Sequence, residues 1–463
     1  MKKSSLQHTK DFENIGEKMY ALMEELYPIA RSITGQGVRK TLKILQNNFK
    51  LKIKEVPSGT KVFDWKIPQE WNIRDAYIMN NKNKKIVDYK RSNLHILQYS
   101  EKIKKKIKTS ELKKHIFTLP DQPNNIPYVT SFYSKNWGFC MSHNEFLKLD
   151  DDEYFVNIES NHKDGSLTYG EYLIKGEVNE EILISTYVCH PSLCNDNLSG
   201  PVLAATLAEY LSKQKLHYSI RFLFIPETIG AITWLALNEN KIKNIVHGLV
   251  ATCLGDSGIS TYKKSRDGDN IIDKIVEEVL IESGKPYKIM DFWPSGSDER
   301  QFCSPAFNLP VGSLMRTPYD MFDEYHTSED NLSFMSKDCL ADSFSKYVSV
   351  IKKLEENYDN FKPREREMKN KKNKKSDLVF KNLFPKCEPQ LGKRGVYENI
   401  GGVKEQDSLK QKKAIQWILN LSDGKHSLHD IEKKSGLDYD LLCMVADLLK
   451  DKKLLSEIDN ERE

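Results

Sequence analysis

The chain has 463 residues, 39% of them hydrophobic and 29% charged, with a formal net charge of +4. That length exceeds one ordinary core and predicts two or three domains, and the small net charge excludes a chain drawn as a whole to nucleic acid or to a membrane surface. No run of about 18 apolar residues occurs, and residues 1–10 lack the apolar stretch of a signal peptide, so a cytoplasmic protein without a membrane span is expected. The eight cysteines form no Cys-x-x-Cys pair and suit reduced, mostly buried thiols.

Residues 11–48 predict two helices around a break at 31–35, because Ile15, Met19, Leu22 and Leu26 recur at helical spacing. A strand is expected at 51–56 and a turn at 57–60. From 60 to 155 the composition shifts to Trp, Tyr and Lys, with short strand-like runs at 76–79, 85–89 and 138–140 and Lys-rich helical turns at 101–114. This stretch predicts a compact α+β insert whose lysines form a solvated face. Residues 168–355 alternate apolar strand and helix: strands at 182–188, 219–225, 245–253 and 309–314, helices at 199–213, 228–238, 270–284 and 336–357. Such alternation predicts a doubly wound, mostly parallel α/β sheet. Residues 358–377 predict a charged linker. Three short amphipathic helices follow, at 409–421, 427–435 with Ser427 as N-cap, and 438–450, the outline of a winged helix. The expected division is therefore 1–57 with 156–357, an insert at 58–155, the linker, and a winged-helix domain at 378–463.

The segment Cys189-His190-Pro191-Ser192-Leu193-Cys194-Asn195-Asp196-Asn197-Leu198-Ser199-Gly200 follows the apolar run at 182–188. Its His and Asp lie six residues apart at the carboxyl end of a strand, where open α/β sheets place ligands. The same loop also reads as a polar turn capping a helix. Cys189 and Cys194 flank it as further soft donors. Glu227 follows the strand at 219–225 and suits a general base beside a metal, or a carboxylate in a first helical turn. Asp256 after 245–253 suits either a ligand or a turn. A second histidine, His326, stands in Glu324-Tyr325-His326-Thr327-Ser328-Glu329-Asp330. Loops of this kind converge on one sheet edge, so His190, Asp196, Glu227, Asp256 and His326 make a zinc-type set with room for water.

The order and content of these segments resemble the zinc aminopeptidases with co-catalytic metals, a fold shared with glutamate carboxypeptidase and glutaminyl cyclase. Asn195-Asp196-Asn197-Leu198-Ser199-Gly200 is similar to that family's metal-bridging Asp segment. Tyr325-His326-Thr327-Ser328-Glu329-Asp330 is similar to its last His motif, and Ser297-Asp298 to its loop before a final strand. The resemblance implies a metal held by His190, Asp196 and His326, Glu227 as base, and a cis Asp196–Asn197 peptide. Asp256, Thr228, Asp298, Arg300 and Tyr325 are further metal or substrate contacts on this reading, Tyr325 and Arg300 as donors or anion anchors. The family carries Glu-Glu where this chain has Glu227-Thr228, and a hydroxyl is a poor zinc ligand. One zinc ion is therefore expected, with a second site weak or absent. Cys253 is the residue nearest the family's remaining carboxylate position.

The whole chain also resembles a bacterial subgroup that joins an aminopeptidase-like domain, an inserted α+β domain and a C-terminal winged helix, and whose members are described near cell-surface polysaccharide biosynthesis. Pro120-Asp121-Gln122-Pro123, 296–302 and 385–394 carry that likeness. The implied function is zinc-dependent hydrolysis of an amide in a small, short-peptide or modified-sugar substrate. Two alternatives stand beside it. One is a non-peptidase protein with a metal site in cell-surface carbohydrate biosynthesis. The other is a DNA-binding regulator with a sensor domain. Residues 438–453 set Asp438, Asp440, Asp447 and Asp451 against Lys450, Lys452 and Lys453, an unfavourable balance for phosphate. A protein partner or a second copy is thus the expected user of the winged helix.

Overall fold

The computed structural model describes residues 14–150, 152–358, 378–397 and 406–458. The predicted linker lies almost wholly outside the described residues. Helices Ile15–Leu26 and Gln36–Gln46 open the described chain and bury Met19, Met23, Leu26, Val38 and Leu42. The central sheet has eight strands: β1 Lys52–Pro57, β2 Ser166–Ile174, β3 Glu181–Tyr187, β4 Ser219–Ile225, β5 Ile245–Val250, β6 Ser260–Lys263, β7 Tyr287–Met290 and β8 Val311–Met315. Their spatial order is β1-β2-β4-β3-β5-β8-β6-β7. The four central strands β4, β3, β5 and β8 are mutually parallel, β1 and β2 meet their neighbours antiparallel, and β6 is antiparallel to β8 but parallel to β7.

Every residue of β3 and β4 is buried, which explains their unbroken apolar runs: a parallel strand covered on both faces needs no polar alternation. Alternate residues feed different layers. Ile182, Ile184, Ile220 and Phe222 pack with Met19, Leu203, Leu207, Phe344 and Ile351 on one face. Leu183, Tyr187, Leu223 and Ile225 pack with Ile229, Trp234 and residues of the insert on the other. Each such side chain, fully buried, contributes about 1.5–3 kcal/mol. The parallel pairing brings the carboxyl ends Tyr187, Ile225, Val250 and Met315 to one edge.

The insert is built on an antiparallel sheet in the order Lys85–Asp88, Glu70–Met79, Glu153–Lys163, Ile103–Lys108. Its last strand in sequence runs across residue 155 and turns directly into β2. The expected helical turns at 101–114 are corrected: Ile103–Lys108 is an edge strand, and only Thr109–Leu112 is α-helical. Ile107 is buried while Lys104, Lys106 and Lys108 stay exposed, and lysines on an edge strand block unwanted pairing. The short strands β6 and β7 have no counterpart in the sequence reading.

The C-terminal domain joins helices Gln406–Leu421, Leu428–Ser435 and Tyr439–Asp451 to a sheet of Asp423–Ser427, Val379–Asn382 and Leu455–Glu457. Ser427 and Asp430 form a capping box, and Asp438 caps the third helix. This domain is bound to the body: Arg266 donates to Asn420 Oδ1 (2.9 Å) and Asp423 (3.0 Å), and Glu388 N–H donates to Gln301 Oε1 (2.9 Å). No helix among the described residues is long and apolar enough to cross a membrane. All eight cysteines are unpaired, and six of them are buried.

Candidate metal centre

The loop after β3 is fixed from below before it holds anything. Arg31, buried, donates from Nε to the His190 carbonyl (2.7 Å), and Ser192 Oγ donates to the Tyr27 carbonyl (2.7 Å). Asp330 accepts the N–H groups of Cys194 (3.1 Å), Asn195 (2.6 Å) and Asp196 (2.9 Å) on its carboxylate. The Asp196–Asn197 peptide is cis, as the resemblance implies. Asn197 Nδ2 donates to the Tyr187 carbonyl (3.0 Å), tying the loop back to the end of β3.

On this frame His190, Asp196 and His326 offer ligand atoms all within 4.8 Å of one another, and they form the one such His/Cys/Asp/Glu group among the described residues. Asp196 Oδ2 lies 2.9 Å from His326 Nε2 and 3.7 Å from His190 Nε2. Asp196 Oδ1 accepts from the Tyr187 hydroxyl, which also meets Thr252 Oγ1 at 2.8 Å. Asp196 Oδ2 and His326 Nε2 are buried and make no hydrogen bond. Two orphaned ligand atoms aimed at one space, with a second imidazole beside them, fit a divalent metal of zinc type. Burial lowers the His190 pKa to about 4, against the opposing pull of Asp196, so this imidazole is neutral as a ligand must be. Burial would raise Asp196, but His190, His326 and Tyr187 outweigh it and hold the carboxyl below its ordinary value.

Glu227 follows β4. Its N–H donates to Cys189 Sγ (3.2 Å), and its Oε2 lies 3.8 Å from His190 Nε2. The side chain is 26% exposed, as is that of His326, against 1% for Asp196. Burial, then the charges of Asp298 and Asp196, raise its pKa well above the carboxylate range. Asp298 is likewise raised to about 7 by burial, although it accepts the Thr228 N–H at 2.6 Å.

Thr228 begins the next helix beside Glu227. Its hydroxyl accepts from Arg300 Nη2 (2.9 Å), and its φ of 62° is a costly conformation for a β-branched residue, of a kind kept at functional sites. Arg300 also faces Glu388 at 3.4 Å. Asp256 lies outside that ligand group, and its carboxylate accepts from Asn195 Nδ2, Gly258 N–H and both the N–H and hydroxyl of Thr317. Cys189, Cys194 and Cys253 also lie outside the ligand group. The Tyr325 ring stacks on His326 with centroids 3.9 Å apart at 12°.

Four residues around the centre escaped the sequence reading: Arg31, Tyr187, Asp330 and Tyr128. Asp330 stood within the His326 motif, and its place at the end of that motif was the available signal. Tyr128 comes from an irregular, Pro- and Asn-rich part of the insert that shows no periodicity. Its ring centroid is 5.1 Å from His190 and 5.0 Å from His326.

Sheet order, strand-end loops and a His/Asp/His cluster together define an aminopeptidase-like architecture. A zinc aminopeptidase from Bacillus subtilis superposes with a TM-score of 0.53 over 73% of this chain and 93% of that one, at 11% identity. The chain belongs to the family described as a domain of unknown function, DUF4910, whose model matches residues 20–357, and a winged helix-turn-helix model matches 378–457. A Clostridium acetobutylicum relative, 54% identical over 94% of this chain and 95% of its own length, is named as a candidate polysaccharide biosynthesis protein with an aminopeptidase-like domain. A crystal structure of a candidate peptidase from the same organism is 51% identical, covers 97% of this chain and 99% of that one, and has a TM-score of 0.74.

Proposed function

We propose that the protein is a cytoplasmic, zinc-dependent amide hydrolase of the aminopeptidase type, acting on a small or modified substrate with one metal ion. The observation that carries this reading is the pair of buried atoms His326 Nε2 and Asp196 Oδ2, 2.9 Å apart and without a hydrogen bond, with Glu227 Oε2 3.8 Å from His190 Nε2. His190, Asp196 and His326 would hold the ion. When bound, zinc supplies a Lewis acid that polarises a carbonyl and lowers the pKa of water. Glu227 is the side chain placed to take the proton of an attacking water and return it to the leaving amine. Thr228 spends its hydroxyl on Arg300, which favours a single ion. Tyr128 and the segment around it cover one side of the cluster, so a terminal or small acyl group suits the site better than the interior of a polypeptide.

The name of the Clostridium relative favours a related substrate, an amide on a cell-surface sugar or its precursor. In a second reading the chain keeps the metal site for carbohydrate biosynthesis without hydrolysis. The winged helix is read as a contact for a protein or a second copy, since its third helix carries Asp440, Asp447 and Asp451. The test is a screen of the zinc-loaded protein against aminoacyl amides and N-acyl amino sugars, with Glu227→Gln as control. Hydrolysis lost in the variant supports the first reading. No hydrolysis, with the biological role intact in Glu227→Gln, overturns it.

A further inference from the structure

The inserted domain reaches the metal centre itself. Pro127 forms an antiparallel bridge with Thr327, Ser328 N–H donates to the Ile126 carbonyl (2.9 Å), and Tyr128 N–H donates to the His326 carbonyl (2.8 Å). Residues 126–128 thus pair through an isolated bridge with the loop that carries His326, whose backbone has a φ of 55°. This pairing sets the Tyr128 ring beside both imidazoles, whose own centroids are 5.4 Å apart, and edge-on to His326 at 88°. The ring is 4% exposed and packs with Leu94 and Leu193, the latter from the metal loop. Cys189, Glu227 and Asp196 are the nearby ionisable groups that act on the phenol electrostatically. Its hydroxyl makes no hydrogen bond among the described residues and is not one of their buried unpartnered atoms, so it keeps some access to solvent.

A phenol whose ring is buried, while its O–H has no protein partner and keeps access to solvent, is free to donate to a bound molecule. Nothing in the ring's packing calls for a hydroxyl, which a phenylalanine would satisfy as well. We propose that Tyr128, delivered by the insert, donates its O–H to the substrate oxygen that gains negative charge at this centre. The insert is then part of the active site and not only a cover over it. This inference rests on the metal-site reading above.

The experiment uses the full chain loaded with Co²⁺ and probed with acetohydroxamate, a small chelating anion, followed by the visible spectrum. Tyr128→Phe keeps the ring and removes the donor. Its Co²⁺ affinity is expected to stay within about twofold of the parent, while acetohydroxamate affinity falls about tenfold to a hundredfold, the weight of one hydrogen bond to a charged acceptor. Tyr128→Leu, which removes the ring as well, is expected to lose acetohydroxamate affinity at least as far. Unchanged acetohydroxamate affinity in Tyr128→Phe overturns the donor role while leaving the metal reading standing. Loss of Co²⁺ in Tyr128→Phe overturns it too, by making the hydroxyl a support of the site. Failure of the parent chain to bind Co²⁺ overturns the metal reading and this inference with it.

Discussion

Asp330→Ala tests how the metal loop is held. In the native chain the Asp330 carboxylate accepts three N–H groups from Cys194, Asn195 and Asp196. Cys194 N–H has a second acceptor in the Asp330 carbonyl at 2.9 Å, which survives the substitution. Two buried N–H groups are therefore orphaned, each at a cost of about 1–3 kcal/mol, so stability is expected to fall by about 2–6 kcal/mol. The Asp196 carboxylate loses its backbone anchor at the same time. Loss of an outer partner of a ligand ordinarily weakens metal binding about tenfold to a hundredfold. Asp330→Asn keeps one acceptor oxygen but turns an amide N–H₂ toward a backbone donor, so an intermediate loss is expected. Urea unfolding in chelator measures the stability change, and zinc competition with a coloured chelator measures affinity. A stability loss below about 1 kcal/mol for Asp330→Ala, with zinc affinity within twofold, would refute the reasoning.

Three further outcomes follow from other parts of the molecule. Glu227→Gln should keep zinc affinity and lose about 10²–10⁴-fold in turnover on any amide the parent hydrolyses, and equal turnover would remove Glu227 as base. Lys263 and Glu299 form a fully buried pair at 2.6 Å, joined by Tyr319; Lys263→Met leaves the carboxylate unpaired and should cost about 3–5 kcal/mol in urea unfolding, against a contrary result of less than about 1. His247, buried in β5 with Nδ1 unpartnered, has its pKa lowered to about 4 by burial. Its folded value lies below the unfolded value of about 6.5, so the unfolded chain takes the proton first, and stability is lost as pH falls from about 6.5 toward 4. Between pH 7 and pH 5 this one group accounts for about 2 kcal/mol, which His247→Gln should remove from the pH dependence of urea unfolding.

The parallel core was legible because β3 and β4 are buried on both faces and so read as continuous apolar runs. Glu227, His190 and His326 were legible for a related reason: loops at the carboxyl ends of such strands meet at one edge. The strand Ile103–Lys108 was not, since its lysines fill positions that solvent rather than the core selects, and they hide the alternation. Short edge strands such as Tyr287–Met290, half of whose residues are exposed, carry little apolar signal. Asp256 shows the limit at the site itself. A turn aspartate and a metal ligand look alike in sequence, and its four hydrogen bonds come from residues that no local pattern pairs with it. Tyr128 and Arg31 depend on tertiary contacts between distant segments, which no local pattern reports.

Anomalous diffraction at the zinc edge, from crystals grown with zinc, tests the central claim most directly. One peak per chain is expected, bounded by His190, Asp196 and His326 and separate from the Thr228 hydroxyl. No peak, a second peak of equal height, or one ligated by Thr228 or Cys253 would contradict it.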